Sequence, residues 1–280
     1  MTDYLVYDVF TDRPFGGNPL AVIPDASTLP EDRLQPIARE FGFSETVFVL
    51  PGNPPRLRIF TPTQEIPFAG HPLIGTATAL RDLGHPAEMT LMTGVGPIPA
   101  TVAQDARFTR KTTLEILHQP DTDLVAACLS LPRDRIAGAT IASAGLPFVL
   151  AEITDRDALA TARPETGAFR QGQDRYPLPF DFAVYAYVRD GETIHARMFA
   201  PLDDIPEDPA TGSAAAALAL FLAGDGPLSL MIHQGEDMGR PSRIGADVAD
   251  GAVTIAGRAV KVMEGRLTLG WGLAVPAALG

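Results

Sequence analysis

Pro67-Phe68-Ala69-Gly70-His71 and Pro209-Ala210-Thr211-Gly212-Ser213 lie 142 residues apart and open two stretches of the same character. Each passes from a proline through a small-residue turn into an apolar segment rich in Ala, Leu and Thr and nearly free of charge. The spacing predicts helices from Pro72 to Leu83 and from Ser213 to Leu222. A helix that is apolar on every face has to be surrounded on every face.

Moving outward, the flanking sequence repeats as well. Arg58-Ile59-Phe60-Thr61-Pro62 recurs as Arg197-Met198-Phe199-Ala200-Pro201, and Gly17-Asn18-Pro19-Leu20-Ala21-Val22 recurs as Gly145-Leu146-Pro147-Phe148-Val149-Leu150. Three pairs in one order mark a duplication. Runs rich in β-branched and aromatic residues read as strands over Tyr4–Val9, Leu20–Ile23, Thr46–Leu50, Arg56–Phe60, Phe182–Val188, Thr193–Phe199, Val253–Ala256 and Ala259–Met263. Further helices are expected over Glu31–Phe41 and Asp155–Ala162, and Glu115–Leu131 is expected to carry the crossing between halves. The fold class is therefore α/β (α+β): two pseudo-symmetric domains, each a curled, mostly antiparallel sheet around a central helix. The halves are placed at 1–116 and 117–267, with 268–280 returning to the first. Two such halves facing each other leave one cleft, toward which both central helices point free N–H groups and a partial positive charge, a setting suited to a substrate carboxylate.

With 280 residues, 46% of them hydrophobic and 20% charged, each half can bury a core. The net charge of −12 disfavours nucleic acid as a partner. Cys128 is the only cysteine, so neither an internal disulfide nor a thiolate metal cluster is available, and it lies in the apolar run Leu124–Leu131 as buried filler. The two lysines, Lys111 and Lys261, lie away from the motifs, which disfavours pyridoxal chemistry. Phosphate-binding and dinucleotide-binding glycine motifs and the nucleophile elbow are missing. No signal peptide and no apolar run of membrane-spanning length is read, so a cytoplasmic protein with no membrane partner is the expectation.

The chemical candidates each have a plain alternative. Glu45, in Ser44-Glu45-Thr46-Val47, sits where a helix gives way to a strand; taken alone it reads as a solvated turn residue. His71 opens a buried helix and is either a hydrogen-bonded first-turn histidine or a general acid/base. Asp203, Asp204, Glu207 and Asp208 cluster; Asp208 before Pro209 fits a helix N-cap, and the cluster lacks calcium-loop spacing. Ser213 reads as a cap or an anion donor, and Asn18 between Gly17 and Pro19 as a turn residue. The turn-rich segment from Gln234 to Ser242 is expected to border the cleft, while His85, His118, His195 and His233 show no paired spacing.

Glu45 in its Ser-Glu-Thr-Val-Phe context, Gly70-His71-Pro72, Glu207-Asp208-Pro209-Ala210-Thr211-Gly212-Ser213 and Met238-Gly239-Arg240-Pro241-Ser242 together resemble the phenazine-biosynthesis PhzF-like family, as do Asp8-Val9-Phe10-Thr11 and the run from Phe15 to Val22. The resemblance spans nearly the whole chain. It implies a diaminopimelate-epimerase-like fold, no metal and no organic cofactor, and a homodimer. It implies that Glu45 shuttles a proton with His71 and Asp208 beside it, and that Asn18, Ser44, Gly70, Gly212 and Ser213 contact a small carboxylate substrate. Epimerases of this fold use two cysteines, one per domain, and Cys128 stands alone. The function expected is a cofactor-independent isomerase. A cofactor-free amino-acid racemase or epimerase, or a non-catalytic carboxylate-binding protein, are the alternatives.

Overall fold

The structure, a computed structural model, describes residues 2–268. Its strands form one 18-stranded sheet that curls around two helices. The ladders of the two halves run in the same sequence. In the first half, Thr2–Val9 pairs antiparallel with Asn18–Ile23, which pairs parallel with Glu45–Leu50, which pairs antiparallel with Arg56–Phe60. In the second, Ile136–Ser143, Pro147–Ile153, Val184–Asp190 and Thr193–Ala200 repeat that antiparallel, parallel, antiparallel order. Each fourth strand then receives a short strand, Glu65–Ile66 or Ile205–Asp208, immediately before its helix. After the helix, the chain returns parallel to the same fourth strand and finishes in an antiparallel meander.

The two halves of the sheet join edge to edge. Ala252–Gly257 pairs with Ala106–Lys111, and Ala259–Leu267 pairs with Thr2–Val9. The expected return of 268–280 to the first half falls, apart from residue 268, outside the described residues. The segment expected to carry the crossing forms a strand, Glu115–His118, paired with Ile136–Ser143, and then the helix Thr122–Cys128.

The two core helices are Gly70–Asp82 and Gly212–Ala223. Each begins at its glycine, two and one residues before the sequence reading. Their burial explains their composition. Gly70 to Ala77 of the first is buried throughout, and in the second Ala214 to Ala219 is buried. Alanine at that density lets strands approach from all sides without voids. Three apolar clusters result: one around both core helices, one under the outer helices of the second half, and a smaller one under the helix Leu34–Phe41. Cys128 is fully buried in the second cluster, where burial pushes its thiol up to about 12.

Local corrections to the sequence reading have simple causes. The expected helix over Glu31–Phe41 is a 3-10 turn at Glu31–Arg33 followed by the helix Leu34–Phe41, with Pro36 in the first turn where a missing N–H breaks nothing. Asp208 is not a helix N-cap: it ends the strand Ile205–Asp208 opposite Met198, and Thr211 holds the cap position. His195 and His233 do pair, as partners on neighbouring parallel strands with ring centroids 5.5 Å apart. Among the described residues no helix is long and apolar enough to cross a membrane.

Candidate active site

The core helices meet nose to nose. A Cβ on Gly70 would lie 2.8 Å from the carbonyl carbon of Gly212 and 2.9 Å from its Cα, so the approach requires glycine. Neither helix has a side-chain N-cap: Ala69 has no side-chain donor or acceptor, and the Thr211 hydroxyl is turned to Asp208 instead. Both sets of first-turn N–H groups therefore face the junction between the halves.

On one side of that junction the structure collects Asn18, Ser44, Glu45, His71 and Asp208. Asn18 is no surface turn residue. It opens a strand, is fully buried, and donates from Nδ2 to Asp208 Oδ1 and to the Ala210 carbonyl, both at 2.9 Å. The same nitrogen lies 3.5 Å from His71 Nδ1. Ser44 Oγ donates to Asp208 Oδ1 at 2.5 Å, and Thr211 Oγ1 donates to Oδ2 at 2.6 Å. Asp208, from the second half, is thus held by two donors from the first half and one from its own. Burial nevertheless outweighs these donors and raises its pKa.

Glu45 is the first residue of its strand and its side chain is only 15% exposed. Its Oε2 lies 3.2 Å from His71 Nδ1, yet the alignment is too poor for a hydrogen bond, and this oxygen has no other partner. His71 Nε2 is also buried and unpartnered. Burial, with Asp208 and Asp203 adding negative charge, raises the Glu45 carboxyl well above the ordinary range. Burial pushes the His71 imidazole down to about 3, against a small opposing effect of the Pro19 carbonyl. Both shifts favour one state: an overall neutral pair, with a proton on the carboxyl and an uncharged imidazole.

Behind these groups stands a second layer that the sequence reading did not resolve. Gln234 is fully buried; its Nε2 donates to the Asp208 carbonyl at 2.8 Å and to Thr211 Oγ1 at 3.0 Å, and its Oε1 accepts from Thr211 N and from the Tyr185 hydroxyl, both at 3.1 Å. Ser242 Oγ donates to the carbonyls of Pro209 and Gln234 at 3.1 Å. Arg240 ties the same segment to the first half through Asp8 Oδ1 at 2.7 Å and the carbonyls of Gly16 and Gly17 at 2.8 Å. The segment from Gln234 to Ser242 therefore fixes the cluster from behind. The only signal for Thr211 and Gln234 in the sequence was their place within motifs flagged for other residues.

Ser213 lines a small cavity with Leu146 and Arg110 that contains none of Glu45, His71 and Asp208. A groove of about 520 Å³ opens elsewhere, between the Phe10–Arg13 turn and the Ser242–Ala249 strand, and contains none of Glu45, His71 and Asp208. Chemistry follows the clustered titratable groups rather than the larger space. No group of three or more His, Cys, Asp or Glu residues that could hold a metal occurs among the described residues.

Known proteins resemble this chain along nearly its whole length. The family model described as phenazine biosynthesis-like protein matches residues 7–265. An uncharacterised isomerase of Mesorhizobium japonicum is 37% identical over 95% of this chain and 98% of its own. The trans-2,3-dihydro-3-hydroxyanthranilate isomerase of Pseudomonas aeruginosa is 35% identical over 96% of this chain and 100% of its own. The crystal structure of a Bacillus anthracis phenazine biosynthesis protein of the PhzF family superimposes with a TM-score of 0.84 at 26% identity, covering 94% of this chain and 97% of that one. A probable proline racemase from Agrobacterium radiobacter shares the fold at 14% identity and a TM-score of 0.62. By the family match along almost its whole length, and by its relatives, this chain belongs to the phenazine biosynthesis-like protein family, and it is an isomerase.

Proposed function

We propose that the chain is a cofactor-independent isomerase that moves a proton on a small, unsaturated carboxylate substrate, with Glu45 as the base that takes the proton from carbon and returns it elsewhere. The observation that carries this reading is Glu45 Oε2: buried, unpartnered, and 3.2 Å from a neutral His71. A carboxyl raised toward neutrality is matched to proton transfer at ordinary pH.

The chemistry is balanced within the substrate. The substrate carboxylate sits at the N–H groups of the core-helix N-termini, near Gly70, Gly212 and Ser213. Glu45, having released its own proton to solvent, accepts a proton from an sp³ carbon, and the electron pair of that C–H bond moves into the adjoining π system. The protonated carboxyl then delivers the same or a solvent-exchanged proton to another carbon of that system. His71 Nδ1 faces the carboxyl through the transfer, and Asn18 links His71 to Asp208. The product differs from the substrate only in the place of one hydrogen and the double bonds.

The repeat argues against a racemase that uses one base on each face. Phe60 and Phe199 are equivalent, and the ladders Thr46↔Phe60 and Val184↔Phe199 make Ala183 the counterpart of Glu45. The parallel pairs Ala21↔Thr46 and Val149↔Val184 give the same equivalence.

The test is deuterium uptake from D₂O into trans-2,3-dihydro-3-hydroxyanthranilate, the compound named for the Pseudomonas aeruginosa relative, followed by NMR. Uptake with isomerisation by the wild type, reduced at least ~10²-fold in Glu45→Gln, is the expected result. Near-normal turnover by Glu45→Gln removes Glu45 from the role. Absence of uptake by the wild type transfers the search to other unsaturated carboxylates.

A further inference from the structure

Asp208 ends a polar chain that runs back through the second half by way of Thr211 and Gln234 to Tyr185. Each hydrogen in that chain has one direction only. Gln234 is fully buried and uses its whole bonding capacity, two donations from Nε2 and two acceptances at Oε1. Its amide has a single orientation, because the Asp208 carbonyl only accepts and the Thr211 N–H only donates. Nε2 therefore donates to Thr211 Oγ1, and the one hydroxyl proton of Thr211 is left for Asp208 Oδ2 at 2.6 Å. Asn18 Nδ2 is fixed in the same way by the Ala210 carbonyl, and it occupies Asp208 Oδ1. A proton on Asp208 then has one place, between Oδ1 and Ser44 Oγ, and in that state Ser44 turns to Asn18 Oδ1 at 3.4 Å.

The repeat supplies an internal comparison. With Arg197 equivalent to Arg58, the pairs Tyr185↔Met198 and Val47↔Ile59 make Val47 the counterpart of Tyr185. The parallel pairs His195↔His233 and Arg56↔Met92 make Met92 the counterpart of His233, and so Thr93 that of Gln234. Ile66 and Ala69 stand where the second half has Asp208 and Thr211. Thr93 Oγ1 donates to the Gly96 carbonyl, within its own hairpin. The first half thus leads the same short strand into the same kind of core helix without the polar chain. Topology does not require it; the chain accompanies Asp208.

We propose that Gln234 is a positioning residue of the isomerisation: it commits the Thr211 proton to Asp208 Oδ2 and so holds Asp208 as a carboxylate beside Glu45. Tyr185 supports the Gln234 amide from behind, and burial together with the Asp208 charge keeps its phenol protonated. Burial pushes the Asp208 carboxyl up, and the hydrogen bonds from Ser44, Thr211 and Asn18 oppose that push. The charge kept on Asp208 is in turn a cause of the raised Glu45 carboxyl, after burial. The titratable groups around Asp208 are Glu207 on its own strand, Glu45 across the junction, Tyr185 behind, and His71 through Asn18. Gln234 acts through Thr211 and Asp208, not by contact with the reacting atoms. Its part in the reaction rests on the reading of Glu45 as the base; its hold on Asp208 does not.

The Asp208 carboxyl carbon, isotopically labelled and assigned by its loss in Asp208→Asn, reads this charge by NMR across pH with no substrate present. Thr211→Val should move its titration midpoint up by about one pH unit, the worth of one hydrogen bond to a charged group. Gln234→Thr, which puts in place the residue of the other half, should move it the same way, roughly half as far. The double variant should shift no further than Thr211→Val alone, because Gln234 acts through that hydroxyl. Thr211→Ser keeps the hydroxyl and should stay near the wild type. Gln234→Met, closer in volume, takes the place of Gln234→Thr if thermal melts show that variant unfolded. An unmoved midpoint on replacing Gln234, or additive shifts in the double variant, overturns the proposal. Where the wild type turns over trans-2,3-dihydro-3-hydroxyanthranilate, the acid limb of kcat/KM should move to lower pH in Gln234→Thr, since a neutral Asp208 no longer pushes Glu45 up. A limb left in place there overturns the part in the reaction. Absence of turnover bears on the proposed function instead, and the substrate-free titration still decides whether Gln234 holds the charge on Asp208.

Discussion

Arg58 and Arg197 sit at equivalent positions of the two halves and make the same fork. Arg58 donates to Glu65 through Nε at 2.8 Å and Nη2 at 2.6 Å; Arg197 donates to Glu207 through Nε at 2.8 Å and Nη2 at 2.7 Å. Each guanidinium also lies over the phenylalanine two residues on, Phe60 at 5.2 Å and Phe199 at 4.9 Å. The third nitrogen differs. Nη1 of Arg58 reaches Glu31, at the start of a helical segment, whereas Nη1 of Arg197 donates to the carbonyls of Leu159, Ala160 and Ala162, at the end of one. The duplication is thus kept where it holds the sheet to the core helix. It is broken where the chemistry sits: Asn18, Glu45 and His71 against Leu146, Ala183 and Ser213, and Asp208 against Ile66. One half supplies most of the reacting groups, and the other mirrors them with apolar side chains and one serine.

If the two forks are one device in two settings, they should differ in worth by their burial. The Arg197 side chain is 4% exposed, that of Arg58 15%, and the acid partners of Arg58, Glu31 and Glu65, are 75% and 42% exposed. Arg197→Met strands Glu207 and frees three helix-end carbonyls, and is expected to lower stability by about 3–5 kcal/mol in urea unfolding. Arg58→Met should cost about 1 kcal/mol or less. Equal losses would break the comparison by showing that the fork, and not its burial, sets the energy.

The nose-to-nose contact gives a smaller contrast. A Cβ on Gly70 meets backbone atoms of Gly212 at 2.8 Å, while one on Gly212 meets Gly70 Cα and the Phe10 ring at 3.2 Å. Gly70→Ala is therefore expected to cost about 1–3 kcal/mol through overpacking and to lower turnover by separating the two helix ends. Gly212→Ala should cost less on both counts, since the Phe10 ring can shift. Thermal melts together with initial rates check this. A reversed order would mean that the second helix, and not the first, is fixed in place.

The repeat made the topology legible because the residues that carry it are dictated by geometry: glycines where two backbones touch, prolines at strand ends, alanines where a helix is enclosed. The site was legible only in part. Glu45 alone read as a solvated turn residue and His71 left two readings open, so their place in the cleft came from the resemblance carried by the motifs around them. Asn18 read as a turn residue because its partners, Asp208 and Ala210, are more than 180 residues away in sequence. Asp208 read as an N-cap because Asp-Pro before an apolar run is a capping signal, and nothing local shows that a short strand intervenes. Gln234 carries no local signature. A buried glutamine takes its meaning from what surrounds it in space.

The smallest effect concerns the broken positions directly. Ala183 shows what the fold accepts where it does no chemistry: a small apolar side chain, 6% exposed. A carboxyl at the equivalent place should then be a burden on the folded state whenever it is ionised. Glu45 has a raised folded pKa, so the unfolded chain loses this proton first as pH rises, and stability falls from about pH 4 upward. His71 acts in the opposite direction. Its folded pKa is depressed to about 3, so stability is lost as pH falls from about 6.5 toward 3. Glu45→Gln removes the first effect and leaves the second, that of the buried His71 imidazole. The variant should match the wild type near pH 5 and exceed it by about 1 kcal/mol near pH 8, the low end for relieving a buried, unsatisfied group. Thermal melts of both proteins across that range read the gap. A widening gap with rising pH means that the enzyme keeps Glu45 against its own stability, as a group retained for chemistry must be. A gap of the opposite sign means that donors in the cleft stabilise the carboxylate, and that the first half differs from the second by a structural contact rather than by a strained reacting group.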